Sequence, residues 1–214
     1  MPNPLTAVNF LRGALVAIDA TSGARNAIAF QFNPETLRRT LQANTVGGGE
    51  QGDRSQAVRF TGAPVEKITF DAVFTSLASN APGGPANVYP QLAALAMLIY
   101  PQLAAVNQQQ TLLAQGILEV MPVLAPRTLF VWGARVLPVR VEELTIQEEF
   151  FDPDLNPVRA TVTLGLRVLS YSDLFPSNPD YQTYQVYQQE LQTLAQQGYT
   201  TQASAVIGVN MGGI

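Results

Sequence analysis

The chain has no cysteine and no histidine. It therefore cannot build a disulfide framework, the common zinc sites, a thiolate nucleophile or a histidine-based triad. Lysine is almost absent as well, since Lys67 is the only lysine among 12 basic residues. Charged residues make up only 13% of the 214, about half the usual share. A surface so poor in charge and rich in Gln, Thr, Asn and Ala predicts that partners cover much of it. The alternative is a soluble monomer with a polar, uncharged surface, because ordinary surfaces are already largely apolar. The net charge is -4 with pI about 4.8. No basic cluster is present to follow a phosphate backbone, so no nucleic-acid partner is expected. The preference for arginine suits fixed, bidentate interface contacts, or simply reflects a GC-rich genome. Between Asp71 and Glu119 there is no charge at all. The apolar stretch inside that window is broken by Pro90, Gln91, Pro101 and Gln102. It falls short of the roughly 20 apolar residues of a membrane span, so a core-packed helix and no direct membrane insertion are expected. The opening Met1-Pro2-Asn3-Pro4-Leu5-Thr6 lacks the basic start and apolar core of a signal peptide. Synthesis in the cytoplasm is the expectation.

What is present is pattern. Residues 137–169 predict two long strands joined by the turn Phe151-Asp152-Pro153-Asp154-Leu155-Asn156-Pro157. In the second strand Val158, Ala160, Val162, Leu164, Leu166 and Val168 alternate with Arg159, Thr161, Thr163 and Arg167. Period two over that length means a strand with one buried face. In the first strand Leu137, Val139 and Val141 hold one phase, and Leu144, Ile146 and Phe150 the other. The slip at Glu142-Glu143 predicts a β-bulge, which bends and twists a strand as curved sheets and barrels require. A hairpin this long points to assembly rather than catalysis.

The other segments fit around that hairpin. Residues 14–20 and 27–32 read as a hairpin turning at Thr21-Ser22-Gly23, with Ile28, Phe30 and Phe32 on one face. Asn33-Pro34 ends the strand, because proline cannot continue the ladder. Residues 38–45 suggest a strand of little apolar character, at an edge or paired on the surface, and 46–64 a long glycine-containing loop. That loop lacks the Lys-Ser/Thr and the strand–helix context of a phosphate loop. In 65–75, Ile68, Phe70, Ala72 and Phe74 face inward. Helices are expected at 88–100, through Leu92, Leu95, Ala96 and Ile99, and at 108–120. Residues 81–85 form a flexible break, and 127–135 a strand. A Gln- and Tyr-rich helix spans 180–197, with Asp180 as cap and a stripe of Tyr184, Tyr187, Leu191 and Leu194. The last residues, from Val209, read as a flexible tail.

Chemistry is sparse. Asp152 and Asp154 sit at a hairpin tip, where turn hydrogen bonds are their expected role, and they offer too few ligands for calcium. The pairs Glu142-Glu143 and Glu148-Glu149 are strand neighbours pointing to opposite faces, so neither is an acid/base dyad. Cross-hairpin pairing of these glutamates with Arg159 and Arg167 is expected. No catalytic, cofactor or metal residues are assigned, and no cofactor is expected.

Three motifs occur in order. They are Phe30-Gln31-Phe32-Asn33-Pro34-Glu35-Thr36-Leu37, then the strand Val65-Glu66-Lys67-Ile68-Thr69-Phe70-Asp71-Ala72-Val73-Phe74, then Leu129-Phe130-Val131-Trp132-Gly133 followed by the hairpin ending Pro157-Val158-Arg159-Ala160. Together they resemble the tube-domain proteins of phage-tail-like contractile injection systems over about residues 10–175, most specifically in the Phe-Phe-Asp-Pro-Asp turn and the Pro-x-Arg-Ala element. The nearest likeness is to the small baseplate protein that starts the inner tube. Many such proteins carry a LysM domain after the tube-like domain. Here a Gln/Tyr-rich helix and glycine tail stand in its place.

The resemblance implies an α+β fold of tail-tube type: a curved antiparallel sheet or β-barrel over 1–175, a helical insertion at about 86–120, and a C-terminal helix and tail over 176–214. It implies a ring of six copies joining a spike protein to the inner-tube protein, surrounded by baseplate wedge proteins, within a phage-tail-like particle. The expected assembly residues are Asn33, Pro34, Glu142, Glu143, Asp152, Asp154, Asn156, Arg159 and Arg167. The hairpin would make contacts between subunits or rings, or merely close its own barrel. The rival functions are a repeating inner-tube subunit and a stand-alone ligand-binding β-barrel.

Overall fold

The computed structural model describes residues 13–19, 23–45, 59–76, 87–116 and 126–199. The turn at Thr21-Ser22, most of the glycine loop, the break at 81–85 and the C-terminal tail lie outside the described residues. Seven strands and three helices follow in order: β1 (Ala14–Ile18), β2 (Arg25–Ala29), β3 (Leu37–Gln42), β4 (Val65–Thr75), α1 (Tyr89–Ala96), α2 (Leu103–Ala114), β5 (Arg127–Trp132), β6 (Arg135–Phe151), β7 (Pro157–Val168) and α3 (Pro179–Gly198). All strand pairs are antiparallel, in the order β2-β1-β5-β6-β7-β4-β3. The sheet is curved and open, with β2 and β3 as its edges among the described residues. The expected α+β architecture is borne out, with helices inserted between β4 and β5 and another after the last strand.

β6 causes the curvature. Its first part, Arg135–Val139, pairs with β5 and its remainder with β7, so the two halves of the sheet are offset. The register shifts between Val141 and Glu143, where the phase slip predicted a bulge. In β7 Ala160, Val162, Leu164, Leu166 and Val168 are buried, and in β4 Ile68, Phe70, Ala72 and Phe74. Period two on twisted strands thus becomes one continuous apolar inner face. An aromatic ladder joins the halves across the bend. Phe30 meets Phe70 at 5.2 Å edge-on, Phe70 meets Phe130 at 5.6 Å, and Phe130 stacks on Trp132 at 5.9 Å. Val88, Leu92, Leu95 and Leu98 bring the α1 region into the same core.

Four expectations shift. α2 begins at Leu103, just after Pro101 and Gln102, rather than at 108. None of its residues is buried, so no core-facing stripe marks its start. Ile99 lies past the end of α1 and is exposed. Phe32 is 52% exposed because β2 ends at Ala29 and the chain turns outward. Phe150 does not join Leu144 and Ile146 against the core: its φ is +53° and it is 69% exposed.

α3 is docked by polar contacts. Its cap is Asn178, whose side chain accepts from the Asp180 N–H, with Pro179 at the first helical position. Asp180 is not the cap. It is buried, and its carboxylate takes two donors from Arg127 at the start of β5, one at 2.9 Å. Tyr184 and Tyr187 are buried, but Leu191 and Leu194 are exposed. Only the first half of the expected stripe meets the sheet.

Candidate assembly surface

The face of β6, β7 and β4 opposite the core is polar. Cross-strand rows run Thr145–Thr163–Asp71 and Gln147–Thr161–Val73, flanked by Glu149–Arg159–Thr75 at one end and Arg140–Arg167–Lys67 at the other. Asp71 and Glu143 carry single negative charges between the ends, where the Arg140–Arg167–Lys67 and Glu149–Arg159 groups sit. The nine expected assembly residues fall into three groups along the hairpin.

The tip is organised by Asp152. Its Oδ1 accepts from the backbone N–H of Asp154 at 2.9 Å and of Asn156 at 2.8 Å, and its Oδ2 accepts from Asn156 Nδ2 at 3.0 Å. The Asp152 N–H donates to the Asn156 carbonyl at 2.9 Å. These donors, the Asn156 backbone N–H first, hold the Asp152 carboxyl below its ordinary value. Leu155 takes φ +63° and stands 79% exposed at the turn. Asp152 and Asn156 thus shape the tip, and Leu155, absent from the expected set, is its exposed apolar point.

Below the tip is a groove of about 730 Å³. Phe32, Pro34, Val73, Phe150 and Val158 give it an apolar lining, with Asn33, Glu35, Asp71 and Arg159 among its polar groups. It brings three expected residues together, Asn33, Pro34 and Arg159. Arg159 pairs with Glu149 across the hairpin at 3.5 Å, as expected. Asn33 acts within the fold. Its Oδ1 accepts from the Gly13 N–H at 3.0 Å, while the Phe30 N–H donates to the Gly13 carbonyl. Gln31 Oε1 accepts from the Thr75 N–H at 2.6 Å. The 30–37 motif therefore ties the end of β2 to the far end of β4. β3 pairs with β4 only as far as Phe70. Beyond it, among the described residues, no strand pairs the groove side of β4. Phe32 and Phe150 escape sequence reasoning as groove residues because their neighbours alternate as core does. The left-handed backbone that turns Phe150 outward leaves no mark in composition.

The third group lies at the bulge. Glu142 pairs with Arg140 at 2.9 Å and with Lys67 at 3.1 Å, and these contacts, Arg140 first, hold its carboxyl below the ordinary value. Arg167 does not pair with a hairpin glutamate. It reaches Asp173 at 2.9 Å, because the chain turns back directly after β7 and presents that carboxylate on the same side. Glu143 faces Gly165. The three groups are therefore spread along the hairpin rather than gathered into one site.

Among the described residues no three metal-ligating side chains come together, and no helix is long and apolar enough to cross a membrane. No curated protein matches the chain. A family model for contractile injection system tube proteins matches residues 15–172. That span runs from β1 through the hairpin and includes every element of the curved sheet. With most of its length so matched, the chain belongs to the contractile injection system tube protein family.

Proposed function

We propose that the protein is the ring layer that starts the inner tube at the baseplate. Six copies form a ring, with the polar faces of β4, β7 and β6 turned to the channel. One side of the ring seats on the spike protein, the other templates the first ring of inner-tube protein, and wedge proteins surround it. The nine residues Asn33, Pro34, Glu142, Glu143, Asp152, Asp154, Asn156, Arg159 and Arg167 contribute to contacts between copies or between rings. The observation that carries the initiator reading is α3. It follows the family match, which ends at residue 172, and is fastened to the tube-type sheet through Arg127 and Asp180. An element added after the tube-type sheet suits a layer that needs contacts beyond those the sheet alone makes. Open sheet edges support ring formation through heterologous contacts that close by rotation.

A second reading, a repeating inner-tube subunit, is favoured by the family match itself. Copy number separates the two. Tagged protein is isolated in native particles from its host and imaged by negative-stain electron microscopy. Label at one end of sheathed particles supports the initiator, and label along the whole tube supports the repeating subunit. Recovery of small soluble species alone overturns both and favours a ligand-binding barrel.

A further inference from the structure

Two helical stretches of this chain expose apolar side chains and carry almost no charge; one reaches edge strand β3 and the other packs on edge strand β2. The first is the outer part of α3. Its inner stripe, Tyr184 and Tyr187, is buried, and Tyr187 Oη accepts from Arg39 of edge strand β3. The same three-four spacing continues outward as Leu191 and Leu194, the latter 59% exposed, followed by Tyr199 at 75%. From residue 188 to 199 the only charge is Glu190. Ten residues, 189–198, extend about 15 Å as helix. Alone they fall below the length at which a helix holds itself in water.

The second surface is the α1–α2 region. α1 packs against the opposite edge strand, β2, and Gln102 at the start of α2 donates to Asp19 after β1. Met97, Ile99, Tyr100 at 64%, Leu103 at 70% and Leu113 are exposed there. No charged residue occurs anywhere in 87–116. An exposed apolar group of this kind marks a contact surface.

We infer that the outer half of α3 in one copy packs on the α1–α2 surface of the next copy. The occupant is a second copy of this chain because the two surfaces match in chemistry. Both present exposed apolar side chains and almost no charge, so the contact buries few ions. One belongs to each open edge, so the contact is head-to-tail and repeats around a ring. It rests on the ring reading above and adds a clamp outside the sheet, which also supplies the partner that the overhanging helix needs.

The absence of native cysteine makes the test direct. Chains carrying L194C and chains carrying L103C, each with a different tag, are produced together in the host. Particles are then treated with a short bismaleimide. A cross-link joining the two tags is the expected result. Intact rings without that cross-link overturn the clamp and leave the ring reading standing. Wild-type protein that stays monomeric by native mass spectrometry and never enters particles overturns the ring reading, and the clamp with it. In a second measurement, a Leu191→Gln/Leu194→Gln chain keeps the wild-type melting temperature, since both side chains are exposed in the single copy. Its association weakens roughly tenfold or more, as expected when apolar anchors leave an interface. Wild-type association by that variant overturns the proposal.

Discussion

Gly165 lies directly opposite Glu143 at the bulge of the long hairpin, and a Cβ built on Gly165 would sit 3.0 Å from the Glu143 Cβ. The extra residue Glu142 shifts the register and pushes the next residue of β6 toward β7. A glycine there leaves room that a larger residue would gain only by displacing Glu143. The bend of the sheet thus depends on a pair, a bulge in one strand and a glycine in its neighbour.

Gly165→Val is accordingly expected to destabilise the fold by about 1 kcal/mol, the low end of the cost of overpacking, because the added carbons must displace Glu143. Chemical denaturation measures it. Glu143→Gly in the same chain restores part of the loss, and a double-mutant cycle reports the coupling. If the two substitutions are simply additive, the close approach does not constrain the bend.

The bulge is legible in the sequence because an inserted residue is what makes period two slip within one strand. The burial of β7 and β4 follows from alternation alone, since a strand has only two faces. Three features are not legible. Arg167 finds Asp173 rather than a glutamate, because its partner depends on how the chain turns after β7. The helix α2 buries none of its residues, so its first turn carries no core-facing mark. Asp180 suggests itself as the start of α3, although Asn178-Pro179 is the better cap signature. Asp180 is instead taken by a tertiary ion pair with Arg127. The 30–37 motif is recognisable by resemblance, yet its work is to bond Gly13 and Thr75 across the fold. No local pattern encodes contacts of that kind.

Phe150 holds φ +53° with a bulky side chain that is largely in solvent. The left-handed region costs an ordinary residue about 1 kcal/mol or more, and asparagine tolerates it better. Phe150→Asn is therefore expected to raise the stability of the isolated chain, by about 0.5 kcal/mol. If the groove below the hairpin tip is a contact surface, the same substitution lowers particle yield. Opposite signs in the denaturation midpoint and in assembly are the expected result. A drop in stability would show that the Phe150 ring supports the fold rather than a contact.

Asp180 is the buried half of an ion pair whose arginine is about one third exposed, with side-chain exposures of 4% and 32%. Asp180→Ala leaves the Arg127 guanidinium without its carboxylate. The expected cost is about 2 kcal/mol, below that of a fully buried pair because water reaches Arg127. The loss is concentrated in α3, so limited proteolysis cuts within 179–198 before the sheet yields. Uniform resistance along the helix would mean that Tyr184 and Tyr187 dock it without help.

Tyr184 carries the clearest pH dependence. Burial, with the charge of Glu66 next in weight, pushes its phenol up to about 12 from an ordinary value of 10.0. The buried phenol beside Glu66 is favoured in its neutral form. A group whose folded-state value is raised contributes its stabilisation fully below pH 10 and loses it as the pH rises through about 12. Tyr187 is shifted in the same direction, again by burial first. A phenolate absorbance titration is expected to show a late step near pH 12, at which the helical circular dichroism of α3 also falls. Tyr184→Phe removes that step while the earlier ionisations remain. If all the phenols ionise together near pH 10 with α3 intact, Tyr184 is not held in a dry contact, and α3 is docked through Arg127 and Asp180 alone.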